Sequence, residues 1–140
     1  MRLSLTRTVG FRAVHRLFQP DWPPERNRER FGSTAEAPGH SHDYSCAVTV
    51  TGPLDLETAT LIDLALLDRI LDEEVIRRLD GRHLNLDLPE FASGAVLPTC
   101  EALARDLFVR IAGRLPPGVR LERVRVAEDP TLYADCTGLA

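Results

Sequence analysis

Tyr44, Cys46, Val48 and Val50 alternate with Ser45, Ala47, Thr49 and Thr51, and Gly52-Pro53 stops the run. A period of two sends successive side chains to opposite faces, so this segment reads as a half-buried strand. A little further on the period changes. Between Leu61 and Leu79 the apolar positions Leu64, Leu67, Leu71, Val75 and Leu79 recur at three- and four-residue spacing, which gives a helix one apolar face. A chain that switches between these periods needs a sheet and a helical layer around a shared core.

The remaining elements follow from the same reasoning. Leu3 to Leu17 alternates loosely and reads as a first long strand, with Gly10 marking a bulge or bend. Gln19 to Gly39 is polar and proline-containing, with the mixed-charge run Glu25 to Arg30 and no periodicity, so it reads as a long functional or disordered connection. Asp80-Gly81 stops the first helix. Thr99 caps a second, whose stripe is Leu103, Leu107, Phe108, Ile111 and Leu115, before Pro116-Pro117-Gly118 ends it. Leu121–Val126 and Thr131–Cys136 read as strands joined at Glu128-Asp129-Pro130. The order ββααββ predicts a single α+β domain over residues 1–140, a four-stranded antiparallel sheet with two helices on one face. Open edges, and a second face carrying Ser45, Thr49 and Thr51, point to association into a larger closed assembly.

Composition narrows the chemistry. All 17 basic residues are Arg, which removes lysine Schiff bases and a P-loop lysine from consideration. A net charge of −4 argues against a general nucleic-acid binder. Cys46, Cys100 and Cys136 are odd in number and too far apart for a CxxC pair, which suits a reducing compartment. No apolar run reaches the roughly 18 residues a membrane span needs. The expectation is a cytoplasmic protein without membrane contact.

Three of the four histidines fall on the two long strands. His40 and His42 are two apart and share a face, and antiparallel pairing of the strands brings His15 to the same end. Three neutral imidazoles with an open fourth position suit a catalytic zinc ion, with iron or another imidazole-accepting metal as an alternative.

Phe11-Arg-Ala-Val-His15, Gly39-His40-Ser-His42-Asp-Tyr44, Leu61-Ile-Asp63-Leu, Leu79-Asp80 with Leu84-Asn85, Pro98-Thr99-Cys-Glu101 and Val126-Ala-Glu128 occur in this order along nearly the whole chain. In this the sequence resembles the 6-pyruvoyltetrahydropterin and 6-carboxytetrahydropterin synthases. The resemblance implies the tunnelling fold (T-fold), in which subunits join their sheets into a barrel as trimers or stacked homohexamers, with active sites between subunits. It implies zinc held by His15, His40 and His42, a pterin substrate whose ring N–H groups are received by Glu128, and further ring contacts from Thr99 and Glu101. The activity implied is that of a zinc-dependent lyase on 7,8-dihydroneopterin triphosphate, feeding folate, queuosine-type deazapurine or biopterin-type synthesis.

The departures from that pattern are specific. The family's proton-abstracting cysteine, four residues before the first histidine of the pair, is matched by Glu36, as in a subgroup that uses Glu there. A carboxylate serves as a base when a desolvated site raises its pKa. The family's Asp-His relay is reduced to Asp80-Gly81, with His83 two positions beyond, Ser41 replaces a glycine between the histidines, and Cys100 replaces a hydroxyl residue. The catalytic expectation therefore rests on Glu36, Asp80 and Glu128, with His83 in reserve. Arg16 and Arg82 are the basic residues nearest in sequence for meeting phosphates. The competing expectation is a member that keeps metal and fold but only binds a pterin or purine.

Overall fold

A computed structural model describes residues 1–138. β1 (Ser4–His15) and β2 (His40–Thr51) form an unbroken antiparallel pair in which Ser4 faces Thr51 and His15 faces His40. Each strand has 12 residues, so the register is fixed over its full length. Gly10 sits opposite Ser45 without any register shift. The bulge expected at Gly10 is therefore absent. The irregularities fall instead between Thr49 and Val50, where β2 meets β4 (Arg120–Asp129), and between Ala127 and Asp129, where β4 meets β5 (Leu132–Cys136).

The sheet has five strands, not four, and is mixed, in the order β3-β1-β2-β4-β5. The extra strand, β3 (Arg82–His83), runs parallel to β1 beside Ala13 and Val14. Two residues carry no detectable alternation, which is why the sequence does not announce it. Asp80 and Gly81 fasten it: the Arg12 amide donates to Asp80 Oδ1 at 2.8 Å, and the Gly81 amide donates to the Arg12 carbonyl at 2.7 Å.

The connection 19–39 is also more ordered than expected. It holds helix α1 (Pro24–Phe31) and a 3₁₀ turn over Gly32–Ala35. Proline opens the helix, Glu25 lies in its first turn and Arg28 and Arg30 in its last, favourable placements for helix start and macrodipole in a segment lacking an apolar stripe. Asn27, 8% exposed, pins the entry: its Oδ1 accepts from Gln19 N and its Nδ2 donates to Gln19 O.

The first predicted helix begins at α2 (Leu64–Leu71), capped by Asp63, whose side chain accepts from Ala65 N at 3.0 Å. It continues through a π-turn (Asp72–Ile76) and α3 (Arg77–Leu79) to the predicted stop at Asp80-Gly81. A short α4 (Leu84–Asp87) follows, then α5 (Cys100–Ala112), capped as predicted by Thr99 Oγ1, which accepts from Ala102 N at 3.1 Å. α5 lies against β4 and β5, and the π-turn lies against β1. The shared core of Cys46, Val48, Val50, Leu67, Ile70, Leu71, Val75, Leu103, Leu107, Ile111, Val124 and Val126 is fully buried. Each of its large side chains is worth about 1.5–3 kcal/mol of burial. The β4–β5 turn is tighter than predicted, using Pro130-Thr131 only, so Glu128 belongs to β4. On the uncovered face Thr49 is buried and its hydroxyl pairs with Thr6 Oγ1 at 2.7 Å.

Candidate metal and substrate site

The alternation that sends Phe11 and Ala13 into the core sends His15 to the same side, and that of Tyr44 and Cys46 does the same for His42. At this end of the sheet His15 Nε2 and His42 Nε2 stand 3.1 Å apart, their rings edge to face. Glu128, on the neighbouring strand, brings Oε2 to 3.1 Å from His42 Nε2. One ligand atom from each of His15, His42 and Glu128 lies within 4.8 Å of the others. Two imidazoles and a carboxylate are a donor set that zinc and similar divalent ions accept.

His15 is prepared for that role. It is 1% exposed, and its Nδ1 lies 2.8 Å from the Pro98 carbonyl, which can only accept. The proton therefore sits on Nδ1 and the lone pair on Nε2, the nitrogen facing His42. Burial lowers the pKa of His15, against a raising contribution from the Pro98 hydrogen bond, with the neighbouring His42 lowering it further. A neutral imidazole is the ligating form.

His40 stands in register opposite His15, yet it is exposed and its side chain is not part of the cluster of His15, His42 and Glu128. Gly39 presses against His15: a methyl group there would collide with the His15 carbonyl oxygen, and φ is +105°. Glycine is thus required on both counts.

The remaining predicted residues are distributed around this centre. Glu36 closes the 3₁₀ turn, with its side chain 57% exposed and its Oε1 accepting from Arg28 Nε at 3.0 Å. The desolvated setting expected for a carboxylate base is not present around it in the single chain. Asp80 is exposed and its Oδ1 is taken by the Arg12 amide. His83 donates from Nε2 to the Pro38 carbonyl at 2.7 Å, leaving its buried Nδ1 without a protein partner among the described residues. Asp80 and His83 make no hydrogen bond to each other among the described residues. Thr99 spends its hydroxyl on the helix cap, and Glu101 is exposed in the first turn of α5. Arg82 is exposed on β3.

Two residues beside the cluster escaped the sequence reading of function. Cys100 Sγ contacts Glu128 Oε1 at 3.7 Å, and burial, followed by the Glu128 charge, pushes its thiol up to about 12. Tyr44 stacks on Phe11 and meets both histidine rings edge to face. Its hydroxyl is buried with no protein partner among the described residues, and burial, with Cys100 and Glu128 nearby, raises its pKa. The signal for Tyr44 lay in the period: it follows His42 by two residues on one strand face.

Fold and site together define an α+β sheet domain with a nitrogen-and-oxygen cluster, able to hold a metal ion, at the end of its central strand pair. Residues 4–138 match the family model described as 6-pyruvoyl tetrahydropterin synthase, and the chain belongs to that family. The 6-pyruvoyl tetrahydrobiopterin synthase of Homo sapiens is 35% identical over 125 residues, covering 89% of this chain and 84% of that protein. The structure of the Caenorhabditis elegans 6-pyruvoyl tetrahydropterin synthase superposes with a TM-score of 0.90 at 26% identity, covering 99% of this chain and 97% of that one. A Plasmodium vivax 6-pyruvoyltetrahydropterin synthase, carrying cysteine in place of a catalytic glutamate, shares the fold with a TM-score of 0.68 at 11% identity, covering 97% of each chain. No helix among the described residues is long and apolar enough to cross a membrane.

Proposed function

We propose that the protein is a zinc-dependent pterin lyase acting on 7,8-dihydroneopterin triphosphate, cleaving or eliminating within the side chain to leave a 6-substituted pterin. The observation that carries this reading is the convergence of His15, His42 and Glu128 in a chain of this family. His15 and His42 would hold the metal, with His40 as a third ligand after a side-chain rotation from its exposed position opposite His15. When bound, zinc supplies Lewis acidity to the side-chain oxygens, making the adjacent C–H protons easier to remove.

The chain's own groups do the rest. Glu128 offers two carboxylate oxygens to the paired N–H donors of a pterin ring, with Thr99 and Glu101 at the start of α5 beside it. Glu36 is assigned as the proton acceptor. It must leave Arg28 to reach a substrate proton, since its Oε1 is held by the Arg28 guanidinium at 3.0 Å. That the P. vivax relative's catalytic residue is a glutamate supports this assignment. Asp80 orients the β1 end through the Arg12 amide, and His83 is the remaining candidate for a relay. Completion of the site by a neighbouring subunit in a trimer or hexamer, in the cytoplasm, belongs to the same reading.

Incubating zinc-loaded protein with 7,8-dihydroneopterin triphosphate and following products by mass spectrometry tests it. Wild type is expected to give a 6-substituted pterin, and Glu36→Ala to lose on the order of a hundredfold or more in rate. Absence of turnover with any dihydropterin would sink the reading. One observation favours a second one: Glu36, Asp80 and His83 are each engaged elsewhere, on Arg28, Arg12 and Pro38. A pterin- or purine-binding protein without catalysis would bind ligand and metal stoichiometrically and form no product.

A further inference from the structure

α5 packs on β4 and β5 and buries Leu103, Leu107 and Ile111, so its 3.6-residue period turns Ala102, Asp106 and Val109 to the opposite side. There a cavity of about 350 Å³ opens between α5 and the 3₁₀ turn Pro89–Phe91. Its lining is predominantly apolar: the buried Phe91 and Ala102 line it together with Val96 and Val109, which are 60% and 51% exposed. His15, His42 and Glu128 take no part in it, so it is separate from the metal cluster. The charged part of its wall is tied. Arg110 Nη2 donates to Glu90 Oε1 at 2.7 Å and Nε to both Asp106 oxygens at 3.2 Å, while Arg78 Nη2 donates to Asp106 Oδ2 at 2.9 Å. These bonds clamp the Pro89–Phe91 turn to α5, so the cavity is formed before any ligand arrives. Three guanidinium groups thus meet two carboxylates. The surplus is Arg105, which lines the cavity and makes no hydrogen bond or ion pair among the described residues.

We infer that this cavity binds a small apolar monocarboxylate, with the carboxylate on Arg105 and the apolar body against Phe91, Val96 and Val109. The inference does not depend on the pterin reading above. Small-molecule sites occupy about 300–1,000 Å³ and combine apolar walls with a few convergent polar groups, which is the make-up found here. A guanidinium donates two parallel N–H bonds to one carboxylate. Covering two exposed valines removes apolar surface from water and drives the body of the ligand in. Glu90 and Asp106 on the same wall repel a second negative charge, which selects a monoanion over a polyanion. An alkylammonium of the same length would cover the same apolar surface and meet Arg105 with like charge.

Isothermal titration calorimetry of octanoate and of octylamine into the zinc-loaded full chain tests it. Octanoate is expected to saturate near one per chain and to bind about tenfold more tightly than octylamine, the difference one charge-assisted contact makes. Arg105→Gln should weaken octanoate binding about tenfold, and Arg105→Glu should reverse the preference between the two ligands. Val109→Asp, which puts a charge into the apolar wall, should abolish octanoate binding. Arg105 and Val109 are both exposed, so these variants keep the fold. Arg30→Gln, on α1, is the control and should match wild type. Octanoate held by the zinc ion instead of the cavity would bind Arg105→Gln and Arg30→Gln alike, and that result overturns the inference. Absence of saturable octanoate binding overturns it as well. If Val109→Asp then also sediments as a smaller species than wild type, the face belongs to a second copy of the chain.

Discussion

Glu128 spans two neighbours of different chemistry, with Oε2 3.1 Å from His42 Nε2 and Oε1 3.7 Å from Cys100 Sγ. Its charge is therefore spent on an imidazole that lies within ligand distance of His15. Glu128→Gln keeps the shape and removes the charge, and it should lower metal affinity by about 10- to 100-fold, the range for groups that orient or supplement ligands. Competition against a chromophoric chelator measures this. Equal affinity in wild type and variant would mean that Glu128 serves the organic ligand alone.

The third metal ligand is decided by a pair of variants. His15→Ala removes the buried imidazole and orphans the Pro98 carbonyl, so it should abolish stoichiometric metal and also destabilise the metal-free protein by about 1–3 kcal/mol. His40→Ala, at an exposed position, should leave metal-free stability nearly unchanged while lowering metal affinity. Metal content by mass spectrometry and denaturant unfolding of the metal-free forms separate the two effects. Normal metal binding by His40→Ala would make His15, His42 and Glu128 the complete set.

The meeting of His15 and His42 was legible because it needs only strand period and register, which the sequence carries in Tyr44 to Thr51. The Thr99 cap and the Asp80-Gly81 stop were legible because each is a local hydrogen-bonding device. What escaped depended on partners remote in sequence or on segments too short to show a pattern. β3 has two residues, and α1 lacks an apolar stripe because it packs against its own loop through Asn27. Asp80 is expected among the catalytic residues from its motif; that its carboxylate also accepts from a backbone amide 68 positions away is a relation no spacing rule contains. The Cys100 contact with Glu128 likewise appears only once α5 lies on β4.

Burial pushes the Cys46 and Cys100 thiols up to about 12, so both are fully protonated at neutral pH and neither supplies a thiolate base. Iodoacetamide at pH 8 should label only Cys136 in the native protein and all three cysteines after denaturation, as read by mass spectrometry of peptides. Native labelling of Cys100 at a rate comparable to Cys136 would show that the α5–β4 contact opens.

Asp129 sits at the β4–β5 turn and accepts from both the hydroxyl and the amide of Thr131, at 2.6 and 2.7 Å. The Thr131 hydroxyl bond is the largest of the influences that lower its pKa. A carboxylate with a lowered folded pKa stabilises the fold above its unfolded value and loses that contribution as pH falls through the folded one. The hairpin that carries Glu128 should therefore loosen below about pH 4, the ordinary carboxylate range. Amide hydrogen exchange of Thr131 and Leu132 across this range checks it, with Thr131→Ala expected to flatten the dependence.

Gly39 joins the loop to the metal strand by a contact that no other residue fits. Its φ of +105° disfavours side chains, and a methyl group would meet the His15 carbonyl oxygen, which belongs to backbone that β1 holds in place. Gly39→Ala must either strain φ and shift the loop or push His15 out of register with His40, at a cost of about 1–3 kcal/mol. Both routes disturb the same few ångströms, so metal affinity and thermal stability should fall together. Gly32→Ala is the comparison, since a Cβ there meets nothing within 4 Å, although φ is +63°. It should lower stability by a smaller amount and leave metal binding intact. Equal metal loss in both variants would show that any strain in the 32–39 loop reaches the site, and would remove the special role of the Gly39 contact.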